Sequence, residues 1–141
     1  MPEARRLLMT LRCRLGQRGA FLLIIAMVDV VYAVGLAYIP PETRATPAYT
    51  FLEALLPLPA WAILWAAVGA VCLVQAWTRH DRVAYTVATG LKIGWAILHL
   101  GAWLAGAVPR GYVSAAIWLL AAGAVMIVAT VRKGGGVGGV D

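Results

Sequence analysis

The residues best placed to do chemistry in this chain are two opposite charges set in apolar surroundings. Asp29 lies near the middle of GAFLLIIAMVDVVYAVGLAYI, and Lys92 near the centre of DRVAYTVATGLKIGWAILHLGAWLAGA. A lone charge at the centre of a bilayer costs about 2.5–3.5 kcal/mol on insertion scales, so each calls for a partner. Asp29 is 11 residues past Arg18 and Lys92 is 10 past Arg82, counting from the arginine at the head of each stretch. At a helical rise of about 1.5 Å both lie roughly 15 Å along, so they can pair at a common depth. Three consequences of pairing stay open. The pair is a static salt bridge that selects one helix packing; or a concealed polar element, buried in one state and turned toward water in another; or a cation or proton site with Asp29 as the carboxylate and His99 as a relay. Lys92 weighs against the third, because an ammonium beside the carboxylate competes with a cationic substrate.

The residues around the pair follow helical periodicity. Tyr32 falls on the Asp29 face, and Tyr85, Thr89, Lys92, Ala96, His99 and Trp103 succeed one another at spacings of 4, 3, 4, 3 and 4. Such spacing places them on one stripe, a polar seam along an otherwise lipid-compatible helix. Gly90 and Gly94 form a small-xxx-small pair on the other side, suited to close approach of a second helix inside the bundle or in an oligomer. Ala62, Ala66 and Ala70 read as a comparable packing ridge. His99 has no Cys, Glu or second His at metal-ligand spacing, so no metal site is expected. Ser114 is the only serine, the chain lacks asparagine, and no glycine-rich phosphate loop precedes a helix. An enzyme is not expected, nor a cofactor.

Composition defines the elements that must hold these groups. At 141 residues, 62% hydrophobic and 13% charged, with mean hydropathy +0.83, the chain is too apolar for a soluble domain of its size. Four stretches are long enough to cross the hydrocarbon layer as helices, at 19–39, 60–77, 83–107 and 112–131. Lipid offers the backbone no hydrogen bonds, and alternating strands of barrel length are missing. The expectation is therefore an all-α, polytopic membrane protein, a four-transmembrane-helix bundle at 19–131 with a Gly-rich tail at 132–141. Nine of its lysines and arginines flank one side of the spans and Arg44 and Arg110 the other, which places both termini in the cytoplasm. The net charge of +6 then serves topology and attraction to an anionic inner leaflet, with no nucleic-acid partner implied.

Residues 1–18 mix leucines with Arg5, Arg6, Arg12, Arg14 and Arg18, the pattern of a basic amphipathic helix on the inner membrane surface. The loop from Pro40 to Pro59 should hold an interfacial piece around TFLEALLPLP, and Trp61, Trp65 and Trp77 an aromatic belt. Cys13 and Cys72 differ in depth, so no disulfide follows. AILWAAVGAVCLVQ at 62–75 matches AIWLLAAGAVMIVA at 116–129 in seven of fourteen positions, a hint of a duplicated hairpin.

The pattern DR-x-AY…LK-x-GW…PRGYVSA-x-IW over 81–118, with RGAFLLI…D-x-VYAVGL before it, resembles small four-helix membrane proteins of actinobacteriophages, some regarded as holins. Ten arginines against two lysines fit a GC-rich genome. The resemblance implies a homo-oligomer in the bacterial host's inner membrane that permeabilises it for lysis, working with a cell-wall lytic enzyme and carrying no catalytic residues. Met9 is then a candidate second start, as in holins made in two lengths. Two other functions remain: a small four-helix transporter using Asp29 as a cation or proton site, and an accessory or exclusion membrane protein without transport.

Overall fold

A computed structural model describes the backbone of residues 2–78 and 80–130 and the side chains of 16–78 and 80–130. Six helices follow in order: α1 (Pro2–Ala37), α2 (Pro41–Arg44), α3 (Pro47–Leu55), α4 (Leu58–Gln75), α5 (Arg82–Leu104) and α6 (Gly111–Thr130). Among the described residues the protein is all-α, and four stretches are long and apolar enough to cross a membrane: Gly16–Ala37, Leu58–Gln75, Arg82–Leu104 and Gly111–Thr130. The basic side chains Arg5, Arg6, Arg12 and Arg14, residue Met9 and the tail at 132–141 lie outside the described side chains.

Local chemistry sets the helix ends, and it shifts several of them from the expected bounds. α1 breaks at Gly16, whose φ of 57° suits glycine, and the apolar stretch starts there rather than at residue 19. It stops at Ala37 rather than 39, because Pro40 disfavours helical geometry at Ile39. Proline opens the next three helices: Pro41 and Pro47 are first residues, and Pro59 sits in the first turn of α4, where the missing N–H costs nothing. That is why α4 begins at Leu58 and not at 60. α5 ends at Leu104 instead of 107: Gly106 takes φ 71° while its N–H reaches the Trp103 carbonyl and the Ala107 N–H reaches Ala102. This is a Schellman closure, satisfying carbonyls the helix end would leave bare. The first turn of α5 is capped from outside, the Gln75 side-chain oxygen accepting from the Ala84 N–H at 2.8 Å.

The spanning helices form two antiparallel hairpins, α1 with α4 and α5 with α6. Each closes on a glycine. A Cβ on Gly69 would lie 3.1 Å from Val30 Cγ2 and 3.3 Å from the Ala26 carbonyl, and one on Gly111 would strike the His99 carbonyl. α4 buries Leu58, Ala62, Trp65, Gly69 and Cys72, and α6 buries Gly111, Ala115, Ala122 and Val125. Four of these pairs stand 53 residues apart, one fewer than the displacement of 54 at which the two sequences match. The sequence match and the packing register therefore disagree by one residue, about 100° around a helix.

One small-residue expectation is corrected here and a second is narrowed. Ala62 packs, but Ala66 and Ala70 are exposed, because residues four apart drift about 40° per step around a helix while a packed face alternates fours and threes. A Cβ added to Gly90 or Gly94 would meet nothing within 4 Å, so neither glycine makes a close helix contact among the described residues, which leaves the oligomer contact of the two expected. Replacing Gly111 by Ala is expected to cost about 1–3 kcal/mol through overpacking, whereas Gly90→Ala leaves stability unchanged or slightly higher. Thermal unfolding of the two variants in detergent checks this; equal midpoints would contradict the packing described.

Candidate functional site

The centre of the structure is the Asp29–Lys92 ion pair, which joins α1 to α5. Lys92 Nζ donates to Asp29 Oδ1 at 2.7 Å, and the two side chains are 0% and 1% exposed. Along α1, Asp29 falls between Ala26 of one buried cluster and Ala33 of another; along α5, Lys92 falls between Ala88 and Trp95 of the same two. The first cluster is built chiefly from Leu22, Ile25, Val68, Cys72 and small α5 residues, the second from Trp65 and Trp95 among Leu36, Leu52 and Leu58, with Tyr32, Trp61 and Trp118 packed against it.

Those rings close over the pair. Tyr32 packs on Trp65 with centroids 4.4 Å apart and the rings tilted by 44°, and meets Trp95 and Trp118 edge-on at 5.7 and 5.2 Å. Trp65 also packs on Trp95 and Trp118, and Trp61 on Trp95. The Lys92 ammonium sits 5.5 Å from the Trp65 ring centroid, within cation–π range. Trp95 Nε1 donates to the Tyr32 hydroxyl at 3.1 Å, and Trp61 Nε1 to the Leu52 carbonyl at 3.2 Å, which ties α3 over the box. His99 Nδ1 lies 2.9 Å from the Trp95 carbonyl; a carbonyl can only accept, so this nitrogen carries the hydrogen. Two buried atoms have no partner among the described residues, the acceptor Asp29 Oδ2 and the donor Trp65 Nε1.

A second polar node lies where α1, α5 and α6 converge. Arg18 grips Asp81 in two-pronged fashion, Nε to Oδ2 at 2.9 Å and Nη2 to Oδ1 at 3.1 Å, and donates through Nη1 to the Ala129 carbonyl near the end of α6. Paired forks of this kind are the stronger class of ion pair, and the carbonyl end of a helix favours a cation. Tyr85 donates its hydroxyl to the Arg18 carbonyl at 3.0 Å while its ring lies under the guanidinium at 4.8 Å.

The expected seam divides. Tyr85 and Lys92 are buried and the half-buried Tyr32 and His99 join the aromatic box, but the half-buried Thr89 lines an open groove beside α6, and Trp103 is 41% exposed and packs on Tyr112. The inward face of α5 runs through Ala84, Ala88, Ala96 and Ala102, since small residues beside a charge let the neighbouring helices close in. Arg18 is likewise corrected: its side chain, 16% exposed, is a bundle clamp and not a lipid-surface cation. Trp65 is completely buried and belongs to no interfacial belt, whereas Trp77 is exposed. Leu52 of α3, within the stretch expected at the interface, is buried against the box. Sequence reasoning missed Asp81, Gln75, Trp95 and Trp118. A signal existed for the first, since Asp81 precedes Lys92 by the 11 residues that separate Arg18 from Asp29, with the charges reversed.

No protein-family model, curated protein or solved structure matches the chain. What the site can do therefore follows from its geometry. Among the described residues no cluster of three metal-ligating side chains occurs. The arrangement is a neutralised charge pair sealed by aromatic rings at the joint between two hairpins.

Removing one partner leaves the other charge buried and alone, so Lys92→Met and Asp29→Leu should each destabilise by about 3–5 kcal/mol. The double variant should recover most of that loss, since apolar replacement of both members is often neutral. Unfolding midpoints in detergent measure it; a double variant as unstable as the sum of the singles would mean that the pair is not a unit.

Proposed function

We propose that the protein is a holin-like membrane-permeabilising protein. In this reading it spans the inner membrane of a bacterial host with both termini in the cytoplasm, accumulates as closed bundles and then assembles into homo-oligomers that breach the membrane. A cell-wall lytic enzyme would be its functional partner. The observation that carries the reading is the sealed Asp29–Lys92 pair at the joint between hairpins.

Within each hairpin the contact is small and apolar, on Gly69 or Gly111. Across α1 and α5 it is made by long polar side chains: Arg18 to Asp81, Lys92 to Asp29, and Trp95 to Tyr32. Parting the hairpins uncovers a line of charged and polar groups while each hairpin keeps its own packing. A protein that must be harmless until triggered and then line a wet lesion needs such a line, hidden in one state. The outward surface is dominated by large apolar side chains such as Met27, Val31, Ile63, Ile97 and Leu120, which suits lipid contact. The distribution of lysine and arginine along the sequence supports the orientation. A cation transporter using Asp29 fits less well, because the Lys92 ammonium 2.7 Å away already neutralises the carboxylate.

Controlled expression in a bacterium, with membrane potential and viable count followed beside a parallel culture given an energy poison, tests the reading. The expected result is abrupt collapse at a reproducible time, advanced by the poison, and earlier collapse for Asp29→Asn, whose amide holds Lys92 less strongly. Steady growth with an intact potential would remove the holin reading. Collapse at an unchanged time in Asp29→Asn would remove the ion pair as its trigger.

A further inference from the structure

The three hydrogen-bonded pairs of side chains between α1 and the α5 segment share a feature that points to a partner. Arg18 and Asp81, Asp29 and Lys92, and Tyr32 and Trp95 are each 63 residues apart. A constant offset means that two parallel helices meet in a single register, with equivalent positions at equivalent heights. The donor alternates sides. At the first level α1 supplies the cation and the α5 segment the carboxylate; at the second α1 supplies the carboxylate and α5 the cation; at the third the Trp95 indole of α5 donates to the Tyr32 hydroxyl of α1. The α1 face therefore cannot pair with another α1 face, which would set Asp29 against Asp29 and Arg18 against Arg18. Two α5 faces would oppose Lys92 to Lys92. Only α1 against α5 is matched, and like charges in apolar surroundings exclude the alternatives.

We infer that this interface is exchanged between chains: the α1 face of one copy pairs with the α5 face of a second copy, through the contacts that a single copy makes within itself. Each hairpin has its own close-packed contact, and only residues 76–81 join them. Short connectors invite such swapping, in which an existing interface is remade between chains with no new contact required. Because α1 and α5 are different surfaces, the exchanged contact closes either reciprocally between two copies or head-to-tail around a ring. The inference deepens the permeabilising function and rests on it only for what the assembly does, naming the partner surface and the rule by which copies join.

Opposite charge reversals test it in trans. A tagged chain with Asp29→Lys has two lysines facing each other, and a differently tagged chain with Lys92→Asp has two carboxylates, so each alone should fall about fivefold or more in membrane abundance. Expressed together, each supplies the charge the other lacks at both junctions, and both should return to within about twofold of the unaltered protein and co-purify. The chain carrying both reversals serves as the control for pairing within one copy. Should the single variants accumulate normally, the inference requires that Asp29→Lys chains capture Lys92→Asp chains in preference to their own kind. Absence of both rescue and selective capture overturns it, whatever the double-reversal chain does. Membrane potential is read in the same cultures. Rescue without depolarisation keeps the exchange and removes the permeabilising function; depolarisation by the unaltered protein without rescue or capture does the reverse.

Discussion

A charge cannot be left unaccompanied in an apolar interior, and the arrangement of this protein follows from that constraint at Asp29 and Lys92. The pair fixes which helices meet, since no other described carboxylate reaches the ammonium, and it fixes their register, since a slip of one residue turns a side chain about 100° away. Two further contacts at the same 63-residue offset hold that register at other heights. The salt bridge contributes little net stability once desolvation is counted, and its effect is to make every other register worse.

The helices differ in how they use size. Where backbones come close, in the two hairpins, glycine and alanine stand at the contact. Where α1 faces α5, long or bulky side chains span the gap: arginine, lysine, tyrosine and tryptophan. The aromatic box fills one half of that space and α3 covers it, anchored by Leu52 and by the Trp61 hydrogen bond to its carbonyl. The other half is filled by Leu22, Ile25 and a set of alanines, and ends at the Arg18–Asp81 clamp. Contact within the hairpins is thus apolar, while between them apolar packing of the two clusters is joined by the polar contacts of α1 with α5.

The bare acceptor at Asp29 Oδ2 and the bare donor at Trp65 Nε1 belong to the same joint. Unsatisfied buried polar atoms weigh against the closed state, so the joint is complementary in charge without being fully bonded.

Much of this was legible in the linear sequence, for reasons that are local. Apolar runs of spanning length, prolines that open α2, α3 and α4, and charges that recur at helical intervals are properties of neighbouring residues. The pairing of Asp29 with Lys92 was inferable from nearly equal distances to Arg18 and Arg82, because parallel helices of equal rise bring equal counts to equal heights. What only the tertiary structure decided is which face of each helix turns inward. Thr89 and Trp103 continue the polar stripe in sequence, yet α5 closes on Ala84, Ala88, Ala96 and Ala102, because proximity to neighbouring helices selects for small size as well as polarity. Ala66 and Ala70 are equally small yet exposed, and a Cβ on Gly90 or Gly94 would meet nothing within 4 Å, so small size alone does not bring a helix into close contact. Arg18 has the composition of a surface cation and becomes a clamp because Asp81, distant in sequence, arrives next to it. Residue type limits what a position can do, and the partner brought to it by folding decides which of those things it does.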